Sequence, residues 1–451
     1  MTKKKWGILI LLIILLAGYF ILFYKTYSVN TVPKTADCIL ALDLKAVRNT
    51  IIWNTITSPE QWKKISFSST GKTSWKDMVV IPDYVFVFHV AGQPLNAWYT
   101  VLEIKDKQQF KKGLANYHFE QQSDSNKFPV YVSKELGVAF VQDANRLLVA
   151  NPAVKDKNLI KLVSEELFSK KQYISNDVLV KNTNTGSHLT VQITPGHFLK
   201  EPAIITADFD KNSIVVDGTL SPQKDFAFSE NKFSYPGRSL CATGFVQPSA
   251  STYSLLPASA KASISSALNF DIDSLLLPGN AYYNLDITGI RSRVDSAVSY
   301  SYDDNFDPVE KVVLNNVWEP SFCFTTFGKN TKNIYDYWNR NGKLEQTATG
   351  ELFIPMPFVK SYCSQQNENE LLVASADYRP KDDIRSVDGI FFLHVLLTAL
   401  PPELSRYLPD DMIKATENIE SMELVARKEG TQIKIRGNLH KKKNDRFLFN
   451  W

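Results

Sequence analysis

The residue types that carry chemistry are all present in this chain, but not at the spacings chemistry uses. The six histidines (His89, His118, His188, His197, His394 and His440) form neither H-x-H nor H-E-x-x-H, so no helix face offers a zinc pair. Cys38, Cys241, Cys323 and Cys363 are far apart and make no C-x-x-C. No G-x-S-x-G occurs to strain a serine onto a nucleophile elbow. Ser69 and Lys72 have S-x-x-K spacing, in a polar loop without a helix to present the serine. Gly71-Lys72-Thr73 ends like a phosphate loop, yet Ser66 stands where the first glycine is required.

Two acidic groups complete the candidates. Asp303, Asn305 and Asp307 supply acceptors at the first, third and fifth positions of a calcium loop. Pro308 then replaces the turn glycine and Leu314 the bidentate glutamate, so the run reads as a solvated acidic insertion. Asp271 and Asp273 alternate in a way that suits a solvated strand face or a cap. His89 shares a strand face with Val85 and Val87 and reads as a hydrogen-bonded, semi-buried histidine. These patterns assign no catalytic, cofactor-binding or metal-ligating residue and no cofactor. The expectation is a protein that is not an enzyme.

Charge excludes another class. The 451 residues carry 51 Lys+Arg against 47 Asp+Glu, and the excess of four resides in Lys3, Lys4, Lys5 and Lys25. The rest is formally neutral, whereas nucleic-acid binders carry a basic excess because phosphate contacts dominate their affinity. No nucleic-acid partner is expected. A hydrophobic fraction of 44% and a charged fraction of 22% are globular values and exclude wholesale disorder.

Residues 6–24 form an uncharged run bounded by those lysines. As a helix it would span roughly 28 Å, the thickness of a bilayer's hydrocarbon core. Trp6, Tyr19 and Tyr24 suit the interfaces, and the lysine bias puts the N-terminus in the cytoplasm. A cleaved signal would end in small residues, but Phe20–Tyr24 is bulky. Leu16-Ala17-Gly18 opens like a lipoprotein signal, with Tyr19 where the lipidated cysteine belongs. The reading is an uncleaved single-pass signal anchor with residues 26–451 periplasmic. Four cysteines outside the cytoplasm could pair as two disulfides. Each lies in or beside a strand-like run, so four core thiols is the favoured reading.

Past a linker at 26–35, strands are expected at Ala36–Leu44, Tyr84–Val90, Trp98–Ile104, Phe128–Ser133, Gly137–Gln142 and Arg146–Ala150. Helices are expected at Lys45–Trp62, Lys107–Tyr117 and Val154–Lys170, the last with a stripe of Leu159, Ile160, Leu162, Val163 and Leu167. The same order then returns. Displaced by 224 residues, Trp98–Asn151 falls on Phe322–Ser375, with Phe110 and Leu114 meeting Ile334 and Trp338. A hairpin at Ala203–Leu220 falls on Met422–Leu439 at a displacement of 219, with Gly218 on Gly437. This predicts a duplication, with repeats at about 36–222 and 238–440, extra sequence near 291–318 in the second, and a basic and aromatic tail at 441–451. Pro355 and Pro357 demote Phe353–Val359 to an edge strand. The terminal Arg446-Phe447-Leu448-Phe449-Asn450-Trp451 is similar to the end of an outer-membrane barrel, but the chain lacks that class's regular strands.

The expected fold class is therefore α+β: an N-terminal transmembrane helix, then two tandem related units of antiparallel sheet with helices packed on one face. Its opening Val32-Pro33-Lys34-Thr35-Ala36-Asp37-Cys38-Ile39-Leu40 resembles that of uncharacterised bacterial ectodomain families with one N-terminal membrane anchor. The resemblance implies a location and an architecture, and no site. The leading functional expectation is a membrane-anchored binding or scaffolding protein of the cell envelope, touching the membrane through residues 6–24 and an envelope protein or lipid through its ectodomain. A lipid or amphiphile carrier is the alternative. An envelope hydrolase with a site assembled from distant residues is the third.

Overall fold

The computed structural model describes residues 24–57, 75–94, 96–122, 128–133, 136–151, 157–196, 199–223, 228–247, 261–262, 265–266, 282–302, 307–329, 331–355, 359–379, 383–401 and 419–442. The chain divides at Ser221/Pro222 into two compact units.

In the first unit the strands are β1 (Ala36–Asp43), β2 (Val79–Val80), β3 (Tyr84–Val90), β4 (Tyr99–Ile104), β5 (Phe119–Gln122), β6 (Val130–Ser133), β7 (Val138–Asp143), β8 (Arg146–Ala150), β9 (Leu189–Ile193), β10 (Ala203–Phe209) and β11 (Ser213–Leu220). They pair antiparallel in the order β11-β10-β9-β1-β3-β4-β8-β7-β6-β5, with β2 also on β4. Alternation sets the faces: Ile39, Ala41 and Asp43 of β1 are buried, as are Tyr84, Phe86 and Phe88 of β3. Asp43 ends β1 and caps the helix Leu44–Ile56, accepting the Ala46 N–H at 2.7 Å. Fully buried, it is paired with the Lys25 ammonium. Asp106 caps the helix Lys107–Asn116 through the N–H groups of Gln108 and Gln109 at 2.7 and 3.0 Å. That helix turns Phe110 onto Phe140 and lays Gly113 against Met78, whose Cε would lie 2.2 Å from any added Cβ.

The second unit contains β12 (Asn231–Pro236), β13 (Cys241–Val246), β14 (Tyr282–Tyr302), β15 (Pro308–Phe327), β16 (Leu344–Thr347), β17 (Gly350–Phe353), β18 (Ser361–Asn367), β19 (Glu370–Ser375), β20 (Ile384–Gly389), β21 (Phe391–Leu396), β22 (Ile419–Glu429) and β23 (Gln432–Lys441). Its order, β23-β22-β21-β13-β14-β15-β19-β18-β17-β16, retraces that of the first unit. Register agrees as well as order. Tyr99 faces Ala150 and Cys323 faces Ala374; Ile205 faces Gly218 and Leu424 faces Gly437. The helix Thr331–Arg340 corresponds to Lys107–Asn116 and buries Ile334 and Trp338, the latter against Phe353 at 4.9 Å. β12 and β20 form a separate two-stranded sheet, joined to the main one by Phe233, Tyr235 and Phe392.

The expected α+β class is corrected. Among the described residues strand outweighs helix, 53% to 20%, and the helices do not share one face. They are short: Leu44–Ile56 touches β3, Lys157–Ser164 touches β7 and β8, and Asn176–Thr183 touches β1 and β9. The expected helix Val154–Lys170 turns into a π-helical stretch at Glu165, and its stripe residue Leu162 is exposed. Helix at Lys45 stops at Ile56. The 291–318 region, read only as extra sequence, is strand up to Tyr302 and again from Pro308. No helix among the described residues is long and apolar enough to cross a membrane, and the N-terminal transmembrane helix is not part of the described fold. Residues 6–23 lie outside the described residues, as does most of the 441–451 tail. β17 ends at Phe353, before Pro355, because proline cannot donate to the ladder.

Candidate functional site

Three places in the fold gather residues capable of function. The most extensive is the β14–β15 ribbon. β13 covers β14 only over Tyr282–Ile287, and β19 covers β15 only over Cys323–Phe327. From Arg291 to Tyr302 and from Pro308 to Glu319 the two strands pair only with each other among the described residues. Directly paired residues share a face, so Ser292, Val294, Ser296, Val298 and Tyr300 lie on one side with Trp318, Asn316, Leu314, Val312 and Glu310. Five large side chains of that side face water, with Ser292, Ser296, Asn316 and Glu310 at its remaining polar positions: Val294, Val298, Tyr300, Val312 and Leu314 are 61, 59, 64, 63 and 68% exposed. Isolated exposed apolar residues are ordinary, but a contiguous stripe marks a contact surface.

Ionic contacts hold the base of the ribbon. Glu319, almost fully buried, accepts from Arg293 Nε at 2.7 Å and from Arg291 Nη2 at 3.3 Å. Arg291 Nε also meets Asp377 Oδ2 at 3.0 Å. Arg291, Arg293 and Glu319 lie at the ribbon's base on the side opposite the apolar stripe, a side that also carries Val309 at 46% exposure.

The second place is a cavity of about 390 Å³ bordered by Tyr235, Arg385, His394 and Glu423. His394 on β21 directly faces Glu423 on β22, with Nδ1 3.3 Å from Oε1. Burial holds the His394 pKa below its usual value, opposed by the Glu423 charge. An imidazole, a guanidinium, a carboxylate and a phenol around one cavity can bind a small polar molecule. A neighbouring cleft of about 260 Å³ has Tyr282, Asn284 and Asp286 on its floor, across from Phe327, Thr325 and Cys323. There Tyr378 donates to the buried Asp286 at 2.9 Å.

The third is a hydroxyl–imidazole–carboxylate chain in the first unit. Thr50 Oγ1 lies 2.6 Å from His188 Nε2, and His188 Nδ1 lies 3.1 Å from Asp208. A nucleophilic triad needs the ring proton on Nδ1 and a lone pair on Nε2. Here the Phe209 N–H at 3.2 Å competes with the Asp208 carboxylate at 3.1 Å for the same Nδ1, so that nitrogen is not dedicated to the carboxylate as a triad requires. Asp208 is engaged by the Ser187 hydroxyl at 2.9 Å and the His188 N–H at 3.2 Å. The arrangement fastens the Leu44–Ile56 helix to the sheet rather than activating a hydroxyl.

Sequence candidates scatter. His89 is buried between Asp37 at 2.6 Å and the Pro94 carbonyl at 3.0 Å, held as a structural histidine. Ser66, Ser69 and Gly71–Thr73 lie outside the described residues, as do Asp271, Asp273, Asp303, Asn305 and His197. The four cysteines are free thiols, and burial pushes Cys38 and Cys323 up to about 11 and Cys363 up to about 12. Sequence reasoning missed the apolar stripe, although Val294, Val298 and Tyr300 alternate in step with Val312 and Leu314. Thr50, His188 and Asp208 carry no such signal.

No family model matches the chain, and neither does any curated protein. Among solved structures it is similar to three crystal forms of TP0453. Form III is 12% identical with a TM-score of 0.29, covering 54% of this chain and 88% of that one. Form IV is 13% identical at 0.26 (42% and 80%), and form I 12% at 0.28 (44% and 80%). Likeness at this level carries no argument about fold or function.

Proposed function

We propose that the chain is a membrane-anchored binding or scaffolding protein of the bacterial cell envelope, held through residues 6–24 with its two units outside the cytoplasm. One observation carries the binding reading: the solvated aliphatic stripe Val294, Val298, Tyr300, Val312 and Leu314 on a ribbon that projects beyond its covering strands. Hydrophobic surface of that extent is stabilised by a partner. The lysine bias around residues 6–24 supports the location.

Photo-cross-linking in intact cells tests the reading. With a benzophenone side chain at Val298 or Leu314 of the full-length chain, a discrete, saturable adduct is expected. The same group at Asn315, on the ribbon's other side, gives none. Absence of any adduct from Val298 and Leu314 refutes binding through this face. Accessibility of a cysteine placed at exposed Lys311 to a membrane-impermeant maleimide in spheroplasts tests the location. Protection from the reagent refutes it.

A further inference from the structure

We propose that the partner of the ribbon is a second copy of this chain, the two ribbons stacking apolar face to apolar face, antiparallel, about a two-fold axis at the Ser296–Leu314 pair. The inference rests on the binding reading above and specifies its occupant. Area is the first argument. Five side chains about two-thirds exposed present on the order of 100 Å² each, so a symmetric pair buries about 1,000 Å² before its rim is counted. That reaches the size at which specific association begins. A two-fold contact uses the same stripe on both copies and closes.

Charge and shape set the orientation. Asp307 and Glu310 stand at the far end of the ribbon. Parallel stacking would bring both acidic ends together. Antiparallel stacking separates them by roughly 35–40 Å, the length of a twelve-residue strand and several Debye lengths. It also sets Val294 over Val298, Leu314 over its own symmetry mate, and the bulk of Tyr300 over the small Ser292. Packed sheets interdigitate in this large-on-small manner about 10 Å apart.

The test uses the full-length chain in bacterial membranes and a bis-maleimide spanning about 10 Å. Leu314→Cys is expected to convert the 51.1 kDa chain to a product of twice that mass. Tyr300→Cys alone gives none, but co-expressed with a Ser292→Cys chain it gives the mixed dimer. Asn315→Cys and the parent chain stay monomeric, since the native thiols are buried or half-buried with raised pKa values. Leu314→Asp, counted twice per dimer, weakens association more than about 100-fold in a dilution series. At 68% exposure Leu314 makes little contact within the fold, so near-ultraviolet circular dichroism of that variant should match the parent. A homodimer from Tyr300→Cys alone, no dimer from Leu314→Cys, or a Leu314→Cys product with another polypeptide each overturns the proposal. The last would leave binding through this face standing with a different occupant.

Discussion

Gly244 of β13 pits two physical effects against each other. Its φ is not in the left-handed region, so a backbone argument alone predicts that Gly244→Ala stabilises the fold by about 0.4–1 kcal/mol, by restricting the unfolded chain. Packing predicts the reverse. A Cβ at 244 would lie 2.6 Å from both Phe233 Cδ1 and Phe392 Cε1, and these rings are 1 and 2% exposed. Ordinary contact requires roughly another ångström, so two buried rings must move, and overpacking of this kind costs about 1–3 kcal/mol. Packing wins by about 1–2 kcal/mol. For a unit of this size that lowers the Tm by about 3–6 °C. Calorimetry of the whole chain reads the shift, and near-ultraviolet circular dichroism reports the displaced aromatics. Gly289→Ala is the control, because nothing lies within 4 Å of its added Cβ. Combining Gly244→Ala with Phe233→Leu should cost less than the two changes summed, since the smaller side chain makes room for the methyl. A Gly244→Ala chain melting at or above the parent temperature would refute the steric reasoning.

Further predictions follow from the same contacts. Arg293→Ala removes the 2.7 Å partner of buried Glu319 and should cost about 1–3 kcal/mol in urea unfolding, with Glu319→Gln recovering part of the loss in that background. Equal effects of Glu319→Gln in both backgrounds would show the pair to be uncoupled. The folded pKa of His394 lies below its unfolded value, so the unfolded chain takes up the proton first as pH falls. The resulting stability is fully present above about pH 6.5 and is lost as pH falls through the folded value, and His394→Gln should flatten the Tm slope between pH 7 and pH 5. An unchanged slope would assign the pH dependence elsewhere. With Cys323 at about 11 and Cys363 at about 12, their thiolate fractions at pH 8 are of order 10⁻³ and 10⁻⁴, and native labelling should run at least ~100-fold slower than in urea. Rapid reaction of Cys323 and Cys363 in the folded chain would contradict their burial.

Legibility in the sequence followed the range of the interaction. Lys107–Tyr117 reads as a helix because Asp106 caps it and Phe110 repeats at helical spacing from Leu114, both local facts. The displacement of 224 residues is readable because each ladder keeps its own alternation; in the structure it takes the Tyr99–Ala150 pair onto Cys323–Ala374. Fold class departs from expectation because local spacing marks helices such as Lys157–Ser164 correctly but says nothing of how far strand outweighs them or of which face each helix covers. The ribbon escaped notice because Ser292, Ser296 and Asn316 interrupt its apolar face, and because strands of 21 and 20 residues far exceed the usual length. His394 and Glu423 meet only through the β21–β22 ladder, and Thr50 meets His188 only when a helix returns to the sheet. Such pairs leave no trace in linear spacing.

The two units also show what the ribbon is not needed for. In the first, the connection from Phe88 to its ladder partner Tyr99 is a short turn; in the second, the corresponding connection from Asp286 to Cys323 carries the whole ribbon. Both sheets continue past it in the same strand order, so the fold closes its ladders with or without the insertion. Each strand of the ribbon pairs the inward half of the other's backbone groups and turns the outer half to water, and the exposed stripe contributes little burial to the unit. Replacing residues 294–316 by Asn-Gly joins Arg293 to Val317, which already face each other, through a two-residue turn suited to twisted strands. Glu319 keeps both arginines. The shortened chain should therefore fold with its Tm within about 2–4 °C of the parent, a change of no more than about 1 kcal/mol. It should at the same time lose the self-association that Leu314 supports. A drop well beyond that range, or a chain that aggregates on expression, would make the ribbon a structural element and remove the reason for reading its aliphatic face as a surface kept for binding.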